Sequence, residues 1–309
     1  MRFRGGIFGG TGRDAEAAAS ARGEQWRIAL ANDGIPGFVQ RRLTDAGSGK
    51  APWLSTMSPA ELVLSRSHGI RPVAMVSGTC WYHYGYSWTN GHAEGWRAAL
   101  ERMKQEALAA GANAVIDVKM RTSNLPVEDS MDFTVIGTAV KIDGLPPSTD
   151  PVIATVPAVA FARLLEEGIV PTGVAIGANV ELMSPYAVDP TGAMTWSNQP
   201  LGEMSEFWRR VRQRAIWNLR SDARGQGDGV LAHTHFGQLL KIEGGNNGPP
   251  RFLGRFMIIG TVVQCKPMDN VVHKIRAVVD MRDDLSPLNH ARPHGHNAYP
   301  VDSDEEGAI

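Results

Sequence analysis

Two groups of side chains in this chain have the chemistry to hold a transition metal. Cys80, His83 and His92 flank an aromatic run, and His233 and His235 stand two apart in a stretch with strand character. Thiolate and imidazole are the ligands that soft and borderline metals take. Alternate residues of a strand point to one face, so the imidazoles of His233 and His235 are expected to share a side. His290, His294 and His296 form a third group near the C-terminus. There is no Cys-x-x-Cys pair, and the second cysteine, Cys265, lies far from Cys80 in the sequence. The competing reading of each histidine is a solvated or internally satisfied ring. The cofactor expectation is therefore none, with a transition metal on these side chains as the alternative.

The aromatic run Tyr82-His-Tyr-Gly-Tyr-Ser-Trp88 alternates. Read as extended chain, it puts Tyr82, Tyr84, Tyr86 and Trp88 on one face. Such a face can be a wall for a small ligand. It can equally be an interface, where rings with one apolar and one polar end are enriched, and the interface is the favoured reading. No nucleophile, base and orienting group come together in the sequence. Asp117 and Asp228 stand singly at strand–turn positions where capping explains them. Gly9-Gly-Thr-Gly12 and Gly47-Ser-Gly-Lys50 look like phosphate loops, but the first has too little chain before it and the second lacks the flanking residues of such a loop.

The elements that must position these residues come in pairs. Phe133-Thr-Val-Ile-Gly-Thr-Ala-Val-Lys-Ile142 is matched by Phe256-Met-Ile-Ile-Gly-Thr-Val-Val-Gln-Cys265, and His68-Gly-Ile-Arg-Pro by Glu167-Gly-Ile-Val-Pro. Asn113-Ala-Val-Ile answers Asp228-Gly-Val-Leu. Helical segments led by Trp96 and by Trp208 lie between these landmarks. In the first, Trp96, Leu100, Met103, Ala107 and Ala110 recur at helical spacing and predict one apolar stripe. These matches predict an α+β fold of two tandem units. Each would be a small β-sheet packed on one long helix, with a short helix in front, and both termini flexible. The cysteines Cys80 and Cys265 fall at non-equivalent places in the two copies.

The boundaries follow from composition. Residues 1–57 are a Gly-, Ala- and Arg-rich extension, in which Gln25 to Ala31 is too short to separate helix from strand. The first unit spans 58–144 and opens on a capping box of Ser58, Pro59 and Glu61. A Pro-rich linker covers 145–153. The second unit spans 154–268, with Ser205 the expected cap of its arginine-rich long helix and a Gly-rich insertion from Glu243 to Pro250. Residues 269–309 are His- and acid-rich, a composition that predicts disorder.

Over 309 residues the net charge is −1, which gives no electrostatic reason to expect nucleic acid or an anionic membrane as partner. No apolar run is long enough to span a bilayer, and no signal-peptide core begins the chain, so a cytoplasmic location is the expectation.

Gly111-Ala-Asn-Ala-Val-Ile after an Ala/Glu-rich helix, followed by Ile136-Gly-Thr-Ala-Val140, resembles the YbjQ family, which carries a heavy-metal-binding label. The second unit resembles a divergent member, with Gly227-Asp-Gly-Val-Leu at the same place. What the resemblance implies is a compact α+β subunit assembled into pentameric rings. It implies no assigned role and no ligand set. The expected function is a non-enzymatic, ring-forming homo-oligomeric scaffold or binding protein, in single or stacked rings, with the terminal arms contacting neighbours or another protein. The alternative is a metal- or small-ligand-binding protein using His233 and His235 or the Cys80–His83–His92 region.

Overall fold

The structure is a computed structural model that describes residues 12–32, 34–83, 87–124, 130–146, 148–183, 202–242 and 251–265; the side chains of 12–15, 123, 124, 233 and 234 also lie outside the description. The N-terminal extension is more ordered than its composition predicts. It forms α1 (Gly12–Ala31), which absorbs Gln25 to Ala31, and α2 (Gly37–Gly47). One turn apart on α2, Val39 and Leu43 are buried in the core of the first half of the chain. Gly47-Ser-Gly-Lys50 closes α2: the Ser48 N–H donates to Thr44 O at 2.9 Å, and Gly49 takes a left-handed φ of 76°. A helix C-terminus carries partial negative charge, so this loop presents the wrong pole to a phosphate. Of the other loop of that kind, only Gly12 is described, as the first residue of α1.

The first half then runs α3 (Pro59–Ser67), β1 (Ile70–His83), α4 (Trp88–Ala109), β2 (Ala114–Asn124) and β3 (Ser130–Ile142). The Ser58–Glu61 capping box forms as its sequence predicts. Ser87 ends the alternation of the aromatic run. Its hydroxyl accepts from the Asn90 N–H at 3.2 Å and starts α4 at Trp88, so Trp88 is helical and does not continue a strand face with Tyr82. Tyr84 and Tyr86 lie outside the described residues. Trp96, Leu100, Met103, Ala107 and Ala110 are all buried, as one stripe.

The second half runs α5 (Ala158–Glu166), β5 (Ile169–Met183), α6 (Gly202–Ala223), β6 (Gly229–Ile242) and β7 (Arg251–Cys265). Its sheet has the order β5-β7-β6, and the first sheet contains the same order, β1-β3-β2, all antiparallel. The registers match in detail. Ile70 pairs with Ile142, and Ile169 with Cys265; each strand slips after its proline, at Pro72 and Pro171. The bulge between Ile116 and Lys119 recurs between Leu231 and Thr234. Asn113 Oδ1 accepts the Ile142 N–H at 2.8 Å, and Asp228 Oδ2 accepts the Cys265 N–H at 3.0 Å. Asp228 is thus a cap.

The helices align differently from the sequence reading. A Cβ at Gly78 would meet the Ala99 carbonyl and lie 2.8 Å from Met103 N. At Gly177 it would meet the Ala215 carbonyl and lie 2.7 Å from Leu219 N. Ala99 therefore answers Ala215, and Trp96 and Trp208 are not equivalent. Ser205 is no cap, since α6 begins at Gly202.

The 145–153 stretch is not only a linker. Val152–Ile153 form β4, which pairs in parallel with β2 and adds a fourth strand to the first sheet. Residues 184–201, 243–250 and everything from 266 on lie outside the described residues. Among those described, no helix is long and apolar enough to cross a membrane.

Candidate functional site

The proposed metal-binding side chains are placed as follows. Cys80 is buried in β1, where burial pushes its thiol pKa up and keeps it protonated, a poor state for metal ligation. His92 is fully buried in α4, with Nδ1 2.7 Å from Trp88 O and its ring edge-on to Phe133. Desolvation drives its pKa down to about 4, against the pull of the Trp88 carbonyl, and the Arg255 charge lowers it further. His83 is exposed at the end of β1. His235 is exposed in β6 and stacks on Phe256, with centroids 6.1 Å apart. The bulge of β6 falls at Ala232–His233, so the regular alternation expected for His233 and His235 is broken just before Thr234. The side chain of His233 is outside the description. Among the described residues, no three His, Cys, Asp or Glu groups converge on a point. The donors described do not fit a transition-metal centre. His290, His294 and His296 lie outside the described residues.

Asp117 occupies the first bulge with a φ of 53°, and its backbone N–H donates to Val156 O at 3.2 Å. Its Oδ2 is buried without a hydrogen bond, 3.6 Å from Lys119 Nζ. Its carbonyl accepts from the Thr56 hydroxyl at 3.5 Å, so its described hydrogen bonds run through the backbone of the bulge. Tyr82 donates to Glu94 of α4. Arg209 pairs with Glu206, while Arg210 and Arg214 both pair with Glu181, each at 2.9 Å. The basic face of α6 is thus partly neutralised within the chain.

What the fold does build is an interface between the halves, and Trp96 is its centre. The ring sits edge-on to Phe133 in its own half at 5.1 Å and stacks on Phe236 of the other at 5.9 Å. Its Nε1–H donates to Met257 Sδ at 3.4 Å. At one end of α4, the Val180 N–H donates to Thr89 Oγ1 at 2.9 Å. In the middle, Arg97 pairs with Asp222 at 2.6 Å, and further along Lys104 pairs with Asp150. The lead into α5 completes the contact. Val152 and Ala154 donate to the carbonyls of Asn113 and Val115 along the β2 edge. The first half therefore presents a rear surface, α4 and the β2 edge, to a front surface made of β5, α6 and residues 150–156.

Copies of both surfaces stand at the outer faces of the molecule. On the rear of the second half, Ser205 takes the place of Thr89 and Ile216 that of Leu100; Ile216 and Trp217 are exposed, the latter 68%. Among the described residues β6 pairs with β7 alone, leaving the edge that matches β2. On the front of the first half, Trp53, Leu54, Val63, Met75 and Trp81 are exposed, Leu54 to 63% and Trp81 to 73%. The counterparts of Leu54 and Val63 are Ile153 and Ala162, both buried, and those of Met75 and Trp81 are the partly buried Val174 and Val180. Sequence reasoning passed over this set, because exposed apolar residues acquire meaning only once the equivalent buried ones are located.

No curated protein and no solved structure matches the chain. Residues 85–143, spanning α4, β2 and β3, match a family whose description reads "Putative heavy-metal-binding". The matched segment lies in the half of the chain whose rear surface is gripped by the other, and that family is what the segment is similar to.

Proposed function

We propose that the protein is a non-enzymatic scaffold that assembles with copies of itself, the rear of the second half of one chain meeting the front of the first half of the next. The observation that carries this reading is the recurrence, on the outer faces, of both sides of the interface already used inside the chain. A contact between unlike patches is heterologous, and it closes into a ring or runs on as a filament. The resemblance to a ring-forming family supports closure. A ring built this way holds two units per chain and therefore an even number of units.

Native mass of the untagged protein across the micromolar range tests the proposal. Species above the monomer, growing with concentration, are expected. A single monodisperse monomer overturns it. The metal reading keeps one support, the description of the matching family. Stoichiometric transition metal in the purified protein, lost on His233→Ala/His235→Ala, would favour it over a scaffold without metal.

A further inference from the structure

Glu106 in α4 and Asp222 in α6 do the same job in their halves. Each accepts a backbone N–H from the neighbouring strand, Ser77 at 2.9 Å and Ile176 at 2.8 Å, at matching positions of β1 and β5. Each also meets an arginine from outside its own strand-and-helix unit. For Asp222 the arginine is Arg97, on the long helix of the other half. For Glu106 it is Arg42, at 3.7 Å, on α2. The N-terminal extension has therefore laid a helix over the front of the first half where the front of the second half receives α4. Val39 and Leu43 fill the contact, and the Lys141 ammonium donates to Gly47 O at 3.2 Å.

We infer that α2 is a displaceable plug, occupying on each chain the surface that α6 of a second copy takes during assembly. This rests on the scaffold reading and adds its control. The occupant that competes with α2 is a second copy because α6 repeats two contact residues of α4, with Gln213 in the place of Arg97. Ser205 stands where Thr89 binds the strand backbone, and Ile216 where Leu100 is buried. Arg212 replaces Trp96, and the residues Trp96 touches, Phe236 and Met257, have Arg121 and Thr134 as counterparts on the first sheet, with Asp132 next along β3.

The plug is lightly held. α2 has 11 residues against the 22 of α4 and no side-chain cap at Pro36. It buries two side chains, and Arg42 itself is exposed. It also stops short of Trp81, so the upper part of β1 stays open to a first contact. When only the unplugged fraction is competent to bind, apparent affinity is lowered by that fraction. Assembly then responds to whatever loosens α2.

The test uses the full chain and follows mass against concentration by sedimentation velocity. Leu43→Asp removes the apolar anchor. Arg42→Glu sets like charges at Glu106 without touching the core, which guards against a Leu43 variant that merely misfolds. Both are expected to assemble at a concentration at least about tenfold lower than wild type. Adding Ile216→Asp, on the opposite surface, should reverse the gain. If neither α2 variant shifts the curve, or if the gain survives Ile216→Asp, the plug is refuted. A wild-type oligomer indifferent to the α2 changes refutes the plug alone, whereas monomer in wild type and all variants removes the scaffold reading with it.

Discussion

His92 in α4 and Trp208 in α6 hold the same position in their halves. Each ring meets edge-on the matching phenylalanine of the last strand, Phe133 at 5.9 Å and Phe256 at 6.0 Å. One half thus fills with a titratable ring the place the other fills with an indole. The consequence is electrostatic, since burial keeps the imidazole neutral into the acid range, where an exposed one would be charged.

Acid should therefore act through His92. Its folded pKa of about 4 lies below the ordinary 6.5. The unfolded chain takes up the proton first, so the contribution is complete above pH 6.5 and is lost as the pH falls towards 4. By linkage this amounts to ~3 kcal/mol over that window. Urea unfolding at stepped pH should show His92→Phe losing less stability than wild type between those values. Parallel pH profiles for the two proteins would contradict this.

Trp96→Ala should be the costliest truncation at the junction of the halves. A fully buried Trp contacting both sheets predicts a loss of about 3–5 kcal/mol. Trp217→Ala, on the exposed face of α6, should stay within about 0.5 kcal/mol. Equilibrium denaturation of both variants checks the contrast, and equal losses would mean that the rear of α6 is as structural as the centre.

The threonine at the centre of the repeated strand has a specific task. Thr138 is fully buried, and its Oγ1 accepts the Thr56 N–H at 2.8 Å, fixing the chain that leads into α3. Thr261 does the same for the Thr155 N–H at 2.9 Å. Thr138→Val keeps the shape but removes the acceptor, at an expected cost of about 1–3 kcal/mol. Thr138→Ser should recover most of it. If Ser and Val variants unfold alike, packing rather than the hydrogen bond holds the segment.

Gly177 is predicted to tolerate no side chain, because the carbonyl of Ala215 occupies the space a Cβ needs. Gly177→Ala should push α6 off β5 and lower stability by about 1–3 kcal/mol, as overpacking does. The exposed Gly202→Ala serves as control. A smaller loss at Gly177 than at Gly202 would show the helix free to shift.

Much of this fold was legible because its signals are local. The run from Phe133 and its partner from Phe256 gave the two inner strands, and the spacing Trp96, Leu100, Met103 gave the buried stripe of α4. Gly69 and Gly111 ended α3 and α4 with left-handed turns. Other features escaped for physical reasons. The alternation after Tyr82 fits a strand until Ser87 caps a helix, and a cap outweighs two residues of pattern. Aligning the long helices on Trp96 and Trp208 failed because indoles were matched by type, while the glycines that let each helix touch its strand set the true register. Val39 and Leu43 gave no sign of their destination, since the Glu106 region they cover lies far along the chain. The metal candidates were read from residue type and short-range spacing, which carry no information on burial, and the fold buries Cys80 and His92.

The short strand β4 has a consequence for synthesis. The last strand of the first sheet is contributed by Val152 and Ile153, after the rest of that sheet has been made. A nascent chain emerging from the ribosome must hold the β2 edge bare until those residues clear the exit tunnel. Trp96 waits longer still for Met257. Domains usually mature in order as they are translated; here the earlier portion reaches its final form only when nearly all of the later one has been made.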